Sequence, residues 1–138
     1  MRVVLDASSL VSVTLKADGV PRRAVDHIVS HPGRLIISQV VEEEYNEVLL
    51  RPKFDRLVLA HRRLRILAEV IRMATRVEST VHVQDCPDPD DDKYLSLTLA
   101  AAAEVIVSSD KRHLPSMHPW RGISILSSAD YLRLHAVG

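Results

Sequence analysis

The 138-residue chain is poor in the residues that mark several classes of protein. Its single cysteine, Cys86, excludes an internal disulfide and fits a reducing compartment, so we expect a cytoplasmic protein. Four glycines leave little room for a glycine-rich phosphate loop. No apolar run approaches the length of a membrane helix, and the polar first residues argue against a signal peptide. With a formal net charge of zero, the chain would bind a polyanion only through local basic patches or metal ions.

The remaining composition is typical of one folded domain spanning residues 1–138, with 46% hydrophobic and 26% charged residues. Apolar runs rich in β-branched residues predict strands at 2–6, 34–38, 104–109 and 122–126, with a weaker candidate at 80–83. Amphipathic segments predict helices at 9–17, 21–31, 38–50, 60–77, 92–103 and 128–134. The N-cap candidates are Ser8 or Ser9, Ser38, and Ser127 or Ser128. Apolar strands separated by helices indicate an α/β fold with a mainly parallel sheet covered on both faces.

Two aspartates follow predicted strands of this sheet. Asp6 ends the run "RVVLD", and Asp110 ends "VIVSSD". In open parallel sheets, ligand sites lie beyond the carboxyl ends of the strands. We therefore expect these two carboxylates to lie at one edge of the sheet, within a binding site.

Helical phase selects one glutamate from the run "VVEEEYNEVL". At about 100° per residue, Glu44 falls inside the apolar arc, whereas Glu42 and Glu43 fall outside it and suit a solvated face. The arc is formed by Val40, Val41, Tyr45, Val48 and Leu49. An inward carboxylate is costly unless it is paired or bound to metal, so Glu44 is a candidate site residue.

The segment 85–92 holds five aspartates, and the same test favours Asp91 among them. Asp91 lies in line with Leu95 and Thr98 of the following helix, whereas Asp92 lies to one side and Lys93 is expected to point away. Aspartates at a helix N-terminus also suit the helix dipole and the free amides, so this segment alone is ambiguous.

Crowded carboxylates without counter-charge repel one another and resist ionisation, and a divalent cation removes that penalty. All-oxygen ligands select a hard ion, Mg²⁺ or Mn²⁺, and the chemistry that needs such a site is phosphodiester hydrolysis. If the acids serve a cation, we expect Asp6→Asn to leave the metal-free fold at least as stable as the parent.

The motifs resemble those of the PIN-domain nucleases over nearly the whole chain. "VVLDASSLVS" is similar to their first strand and Asp motif, and "ISQVVEEEYNEVLLRPKF" to their Ser-then-Glu helix. "CPDPDDDKYLSLTLAAAAEVIVSSDK" is similar to the third-acid helix and the strand that ends in the fourth acid. The "RPKF" motif occurs in a branch of toxins of toxin–antitoxin systems (VapC-like).

This resemblance implies a three-layer α/β/α fold and a Mg²⁺- or Mn²⁺-dependent endoribonuclease with an RNA substrate, an antitoxin partner, no membrane association and a homodimeric or higher state. It implies that the catalytic and metal-binding residues are Asp6, Glu44, Asp91 and Asp110, supported by Ser8, Ser108, Asp88 and Asp92. The chain departs from the family at two places. It has Asp6-Ala7-Ser8 where the family commonly has Asp-Thr-Asn, and it has Asp92 at a position where the family often has Asn.

The basic clusters "RPKF" and "HRRLR" have two interpretations, which we hold equally open. They are either contacts to phosphates beside the acidic site or ordinary solvated helix faces. The candidate RNA contacts are Arg51, Lys53, Arg62 and Arg63. Two other functions stay open: a PIN-like module with a weakened site that binds RNA or a partner, and a receiver-like α/β protein with an acidic Mg²⁺ pocket. A receiver-like protein would need an aspartate at the end of a middle strand. The predicted strand at 34–38 ends in Ser38 instead, which counts against this function.

Overall fold

Five short parallel strands form the centre of the protein in the computed structural model, which describes residues 1–16, 18–110 and 113–136. They are β1 (Val3–Leu5), β2 (Ile36–Ile37), β3 (Thr75–Arg76), β4 (Val105–Val107) and β5 (Ser124–Leu126). The pairs β1–β4, β4–β5 and β2–β3 are all parallel. A parallel bridge between Val3 and Leu35 joins β1 to the start of β2. The strand order is therefore β3-β2-β1-β4-β5.

Six α-helices surround this sheet in the described ranges. They are α1 (Ala7–Leu15), α2 (Val20–Val29), α3 (Gln39–Leu49), α4 (Ala60–Arg72), α5 (Asp92–Ala100) and α6 (Ser128–His135). Because parallel crossovers are right-handed, α1 to α4 cover one face of the sheet and α5 covers the other, where it packs on β1 and β4. This gives the three layers of an α/β/α fold. None of the described helices is long and apolar enough to span a membrane.

The strands and helix starts follow the expected physical rules. Every residue of β1, β2 and β4 is buried, which is why these strands read as continuous apolar runs. The hydroxyl of Ser38 caps α3 by accepting the Val41 N–H at 3.2 Å. Ser127 caps α6 in the same way through Asp130 N–H at 3.1 Å. Both predicted caps are confirmed.

Four local expectations were wrong. The chain turns directly from β1 into α1, so the N-cap is the Asp6 carboxylate rather than a serine. The edge strand β3 lies inside the segment expected to extend α4, and residues 80–83 form no strand. Because both residues of β3 are exposed, no apolar pattern marked it. Val40, placed in the apolar arc of α3, is 54% exposed.

Arg63, expected as a candidate RNA contact, is instead fully buried. It shares the inner face of α4 with Leu67 and Val70, and its Nη2 donates to Asp55 Oδ1 at 2.6 Å. The guanidinium also lies over the Phe54 ring, 5.8 Å from its centroid. Its Nε and Nη1 have no hydrogen-bond partner in the part of the chain that the structure describes. Arg63 therefore anchors the 51–59 segment and is not available to a phosphate.

We expect Asp55→Ala to lower the free energy of unfolding by about 1–3 kcal/mol, because it leaves a buried guanidinium without its carboxylate. Arg63→Met should be close to neutral, since an apolar side chain of similar length brings no unpartnered N–H groups into the core. Urea unfolding of both single variants and of the double variant measures this. A large loss for Arg63→Met with none for Asp55→Ala would contradict the assignment.

Candidate active site

The acidic side chains meet in a pocket of about 470 Å³ at the carboxyl edge of the sheet. Strands β1 and β4 are neighbours there, and the chain connections leave them in opposite directions, which is the usual position of ligand sites in open α/β sheets. The predicted site residues that line the pocket are Asp6, Ser8, Glu44, Arg51, Lys53, Asp88, Asp91 and Asp110. All four of the principal acids, Asp6, Glu44, Asp91 and Asp110, are thus among the residues that line this pocket.

Asp6 is buried at the base of the pocket and accepts hydrogen bonds on both carboxylate oxygens. Its Oδ1 accepts from the Ser8 hydroxyl at 2.6 Å and from the Ser9 N–H at 3.1 Å. Its Oδ2 accepts from the hydroxyl of Ser108. Asp6 thus caps α1 and at the same time ties that helix to the residue after β4.

The two serine hydroxyls are oriented by main-chain groups of the segment after β4. Ser8 Oγ accepts the Ser109 N–H at 3.1 Å, and Ser108 Oγ accepts the Asp110 N–H at 3.1 Å. Because each oxygen receives an N–H, its own proton is directed to Asp6. Ser8 and Ser108 therefore support the pocket by fixing the Asp6 carboxylate.

Two buried tyrosines hold the peptide groups on either side of Asp6. The Tyr45 hydroxyl of α3 donates to the Leu5 carbonyl at 2.5 Å, and the Tyr94 hydroxyl of α5 accepts the Ala7 N–H at 3.0 Å. Burial raises the pKa of both phenols far above their usual range, so both remain protonated. Helices from both faces of the sheet thus position the same acid.

The carboxylates of the pocket hinder one another's ionisation. Burial raises the pKa of Asp6 and outweighs its hydrogen bonds to the serines, which lower it. Burial, and next the charges of Asp6, Asp88 and Asp110, raise the pKa of Asp91 to about 6, while His113 opposes the shift. The pocket therefore has a deficit of positive charge around Asp91.

Glu44 is only partly inward, with 23% of its side chain exposed, and it has a basic partner. The Lys93 ammonium lies 2.6 Å from Glu44 Oε2. The expectation that Lys93 points away from the site was wrong. Its position at the start of α5 lets the long side chain reach past the helix end toward α3.

The supporting acids separate into two groups. Asp88 lines the pocket and caps the short 3₁₀ turn Pro89–Asp91 by accepting the Asp90 N–H at 3.0 Å. Asp92 does not line the pocket. Its carboxylate accepts the Cys86 N–H at 2.8 Å, beside a neighbouring cavity of about 690 Å³. The geometry therefore gives Asp92 a role in bracing the loop before α5.

The arginine and the lysine that line the pocket are the exposed Arg51 and Lys53. Arg51 pairs with Glu47 at 3.2 Å, and the Lys53 ammonium lies 5.2 Å from the centre of the Phe54 ring. Arg62 is exposed on α4 but does not line the pocket. Two of the four candidate RNA contacts thus stand at the site.

The donor set fits a hard divalent cation, since the acids supply only oxygen ligands, and since burial and the neighbouring carboxylates raise the pKa of Asp91. Among the described residues, however, no three His, Cys, Asp or Glu side chains are grouped so as to hold a metal ion. Mg²⁺ commonly keeps several waters and takes one or two carboxylates together with substrate phosphates, so a ready-made cage is not required.

The sequence reasoning missed three contributors: the tyrosine pair, Lys93 and His113. His113 lines the pocket, and its main-chain N–H donates to Asp110 Oδ2 at 3.3 Å. The tyrosines had a signal, because Tyr45 adjoins Glu44 and Tyr94 follows Asp91 by one helical turn. For His113, the sequence offered no signal beyond its nearness to Asp110.

A family model described as a PIN domain matches residues 2–112. No curated protein shows significant similarity to the chain. A crystal structure of PAE2754 from Pyrobaculum aerophilum is 19% identical and matches 99% of this chain and 98% of its own, with a TM-score of 0.63.

Two DNA-bound VapBC structures also share the fold. VapBC2 from Rickettsia felis, bound to a DNA fragment from its promoter, is 11% identical over 92% of this chain and 98% of its own, with a TM-score of 0.62. DNA-bound VapBC from Salmonella typhimurium is 14% identical over 93% of this chain and 98% of its own, with a TM-score of 0.60. At these identities the likeness shows the fold alone.

Two substitutions of Asp6 separate the cost of its charge from the value of its hydrogen bonds. Because burial raises the pKa of Asp6, we expect Asp6→Asn to be at least as stable as the parent in chelator at neutral pH. Asp6→Ala should lose about 1–3 kcal/mol, because α1 loses its cap and the serine donors lose their acceptor. Urea unfolding of the parent and both variants measures these differences. An equal loss of unfolding free energy in the two variants would mean that the charge of Asp6 does not destabilise the metal-free fold.

The raised pKa of Asp91 predicts a pH-dependent stability in the metal-free protein. The folded state holds this proton more tightly than the unfolded chain, so the penalty is absent below about pH 4 and complete above the folded pKa of about 6. Asp91→Asn should therefore gain stability relative to the parent as the pH rises from about 4 to about 6, and keep that advantage above pH 6. Thermal melts from pH 4 to 7.5 measure the difference, with Asp90→Asn as the exposed neighbouring control. A difference that does not vary with pH would refute this.

Proposed function

The chain belongs to the PIN-domain family, and we propose that it is a metal-dependent endoribonuclease, the toxin of a toxin–antitoxin pair that acts in the cytoplasm. PIN domains are generally nucleases. The observation that carries the proposal is the convergence of Asp6, Glu44, Asp91 and Asp110 on one pocket at the switch point of the sheet.

Each acid has a distinct part in the proposed site. Asp6 is the fixed ligand, because the serines and the α1 N-terminus hold its carboxylate in place. Asp91 approaches from the 3₁₀ turn before α5, Asp110 from the segment after β4, and Glu44 from α3. When bound, Mg²⁺ or Mn²⁺ would supply an activated water and stabilise charge on the attacked phosphate.

The substrate class follows from what surrounds the acids. Arg51 and Lys53 are exposed and line the same pocket, where they can attract the phosphates of a strand that passes over it. Contacts of this kind position a backbone without reading its sequence. We assign RNA as the substrate because the family resemblance implies it.

An antitoxin partner is supported by the two solved complexes, both of which are VapBC assemblies. The segment that follows α3 also exposes Leu50, Leu57 and Leu59, at 48%, 68% and 57%. Exposed apolar side chains next to a site favour coverage by a protein. We propose that the antitoxin binds there and that the toxin is a homodimer or a higher oligomer.

The second candidate is a PIN-like module that binds RNA or a partner without cutting. It is favoured by the absence of a ready-made metal cage among the described residues and by the Lys93–Glu44 ion pair, which occupies a proposed ligand. The two functions differ in one measurable way, since only the nuclease needs metal to change the RNA covalently.

We expect the pure protein to cleave a panel of structured and unstructured RNAs in Mn²⁺ and to lose this activity in chelator. Asp91→Asn should reduce the rate by about a hundredfold or more, as expected for removal of a group that organises charge at a reacting phosphate. Asp92→Asn is the matched control, because its carboxylate faces Cys86 outside the pocket. A dead Asp92→Asn with an active Asp91→Asn would refute the site, and metal-independent binding without cleavage would support the binding module.

A further inference from the structure

Lys93 and Glu44 form an ion pair that joins two walls of the candidate site. Lys93 belongs to the first turn of α5, Glu44 belongs to α3, and their charged atoms are 2.6 Å apart. Both side chains are largely shielded, with 21% and 23% of their surfaces exposed. Shielding makes this pair stronger than most surface pairs, since water and salt screen it less.

The ion pair engages the carboxylate of Glu44, which is one of the proposed metal ligands of the nuclease. Glu44 lines the acidic pocket, whereas Lys93 lines the neighbouring cavity of about 690 Å³. The ammonium therefore reaches Glu44 from outside the pocket. A divalent ion that uses Glu44 would have to approach a carboxylate whose charge is already balanced.

We infer that Lys93 is a built-in counter-ion that competes with the divalent cation for Glu44, so that it sets the metal affinity of the site. This inference rests on the proposed function, because it assumes that the pocket binds a divalent ion. Lys93 is a positioning residue in this scheme, since it acts through Glu44 and does not line the acidic pocket itself.

The exchange is physically reasonable for a lysine. Its ammonium is a compact charge on a flexible four-carbon stem, so it can leave one carboxylate and turn to another. The neighbouring cavity that Lys93 lines is also lined by two acidic residues, Glu78 and Asp92. A released ammonium therefore has acidic partners within the same cavity.

The sign of one measurement separates this role from a purely structural one. If Lys93 competes with the metal, Lys93→Met frees Glu44 and tightens metal binding. If Lys93 only holds Glu44 in the geometry that a metal requires, the same change loosens that carboxylate and weakens binding.

The test measures the Mn²⁺ dissociation constant by calorimetry on the full chain, with no RNA and no turnover. We expect Lys93→Met to bind Mn²⁺ about three- to tenfold more tightly than the parent, the range given by the free energy of a partly shielded ion pair. Lys93→Gln should behave likewise, and Lys93→Arg should stay near the parent value. The Mn²⁺-induced rise in melting temperature should be larger for both neutral variants.

Lys53→Met is the matched control, because it removes one positive charge from the pocket lining without touching Glu44. It should change the dissociation constant less than about twofold, as expected for an exposed charge in water and salt. Equal tightening by Lys53→Met and Lys93→Met would overturn the inference, since net charge alone would then explain the effect. Unchanged or weaker binding in both neutral Lys93 variants would also overturn it. A parent that binds no Mn²⁺ would remove both this inference and the metal-dependent function, whereas a parent that binds normally leaves the function intact.

Discussion

The buried Asp6 carboxylate is the point at which the fold and the candidate site depend on one another. It accepts hydrogen bonds from Ser8 in α1 and from Ser108 after β4, so a single side chain joins a helix to a neighbouring strand. The hydroxyls of Tyr45 and Tyr94, from helices on opposite faces of the sheet, fix the peptide groups around it. All three layers therefore contribute to the position of this one acid, which is the rigidity that a metal ligand needs.

The same arrangement sets stability against function. Burial raises the pKa of Asp6, and its charge helps to raise that of Asp91, so the two acids disfavour each other's ionised form. The nearby cationic side chains relieve little of the repulsion between Asp6 and Asp91, because Lys93 pairs with Glu44 and Arg51 pairs with Glu47. A divalent ion would relieve the repulsion, and by binding the folded state it would stabilise that state by mass action.

Much of this site was accessible from the sequence because it depends on positions rather than on side-chain conformations. Strand ends located Asp6 and Asp110, and helical phase located Glu44. Phase failed for Lys93, because it gives the direction of Cβ and not the reach of a long side chain near a helix start. Arg63 was misassigned because helical phase was not applied to it. Phase places Arg63 in line with Leu67 and Val70 on the buried face of α4, but its position in a basic cluster suggested a phosphate contact. The edge strand β3 carried no apolar pattern at all.

The serine at position 8, where the resembled family commonly has asparagine, bears on whether the site is weakened. Ser8 Oγ accepts the Ser109 N–H and donates to Asp6, so it fills one acceptor role and one donor role with a single atom. An asparagine would divide these roles between its carbonyl and its amide. The link from Asp6 to the segment before Asp110 is therefore preserved with the shorter side chain. The contact made by Ser8 therefore gives no reason to expect a weakened site, whereas the ion pair at Glu44 does, which is why Lys93 is the more informative residue.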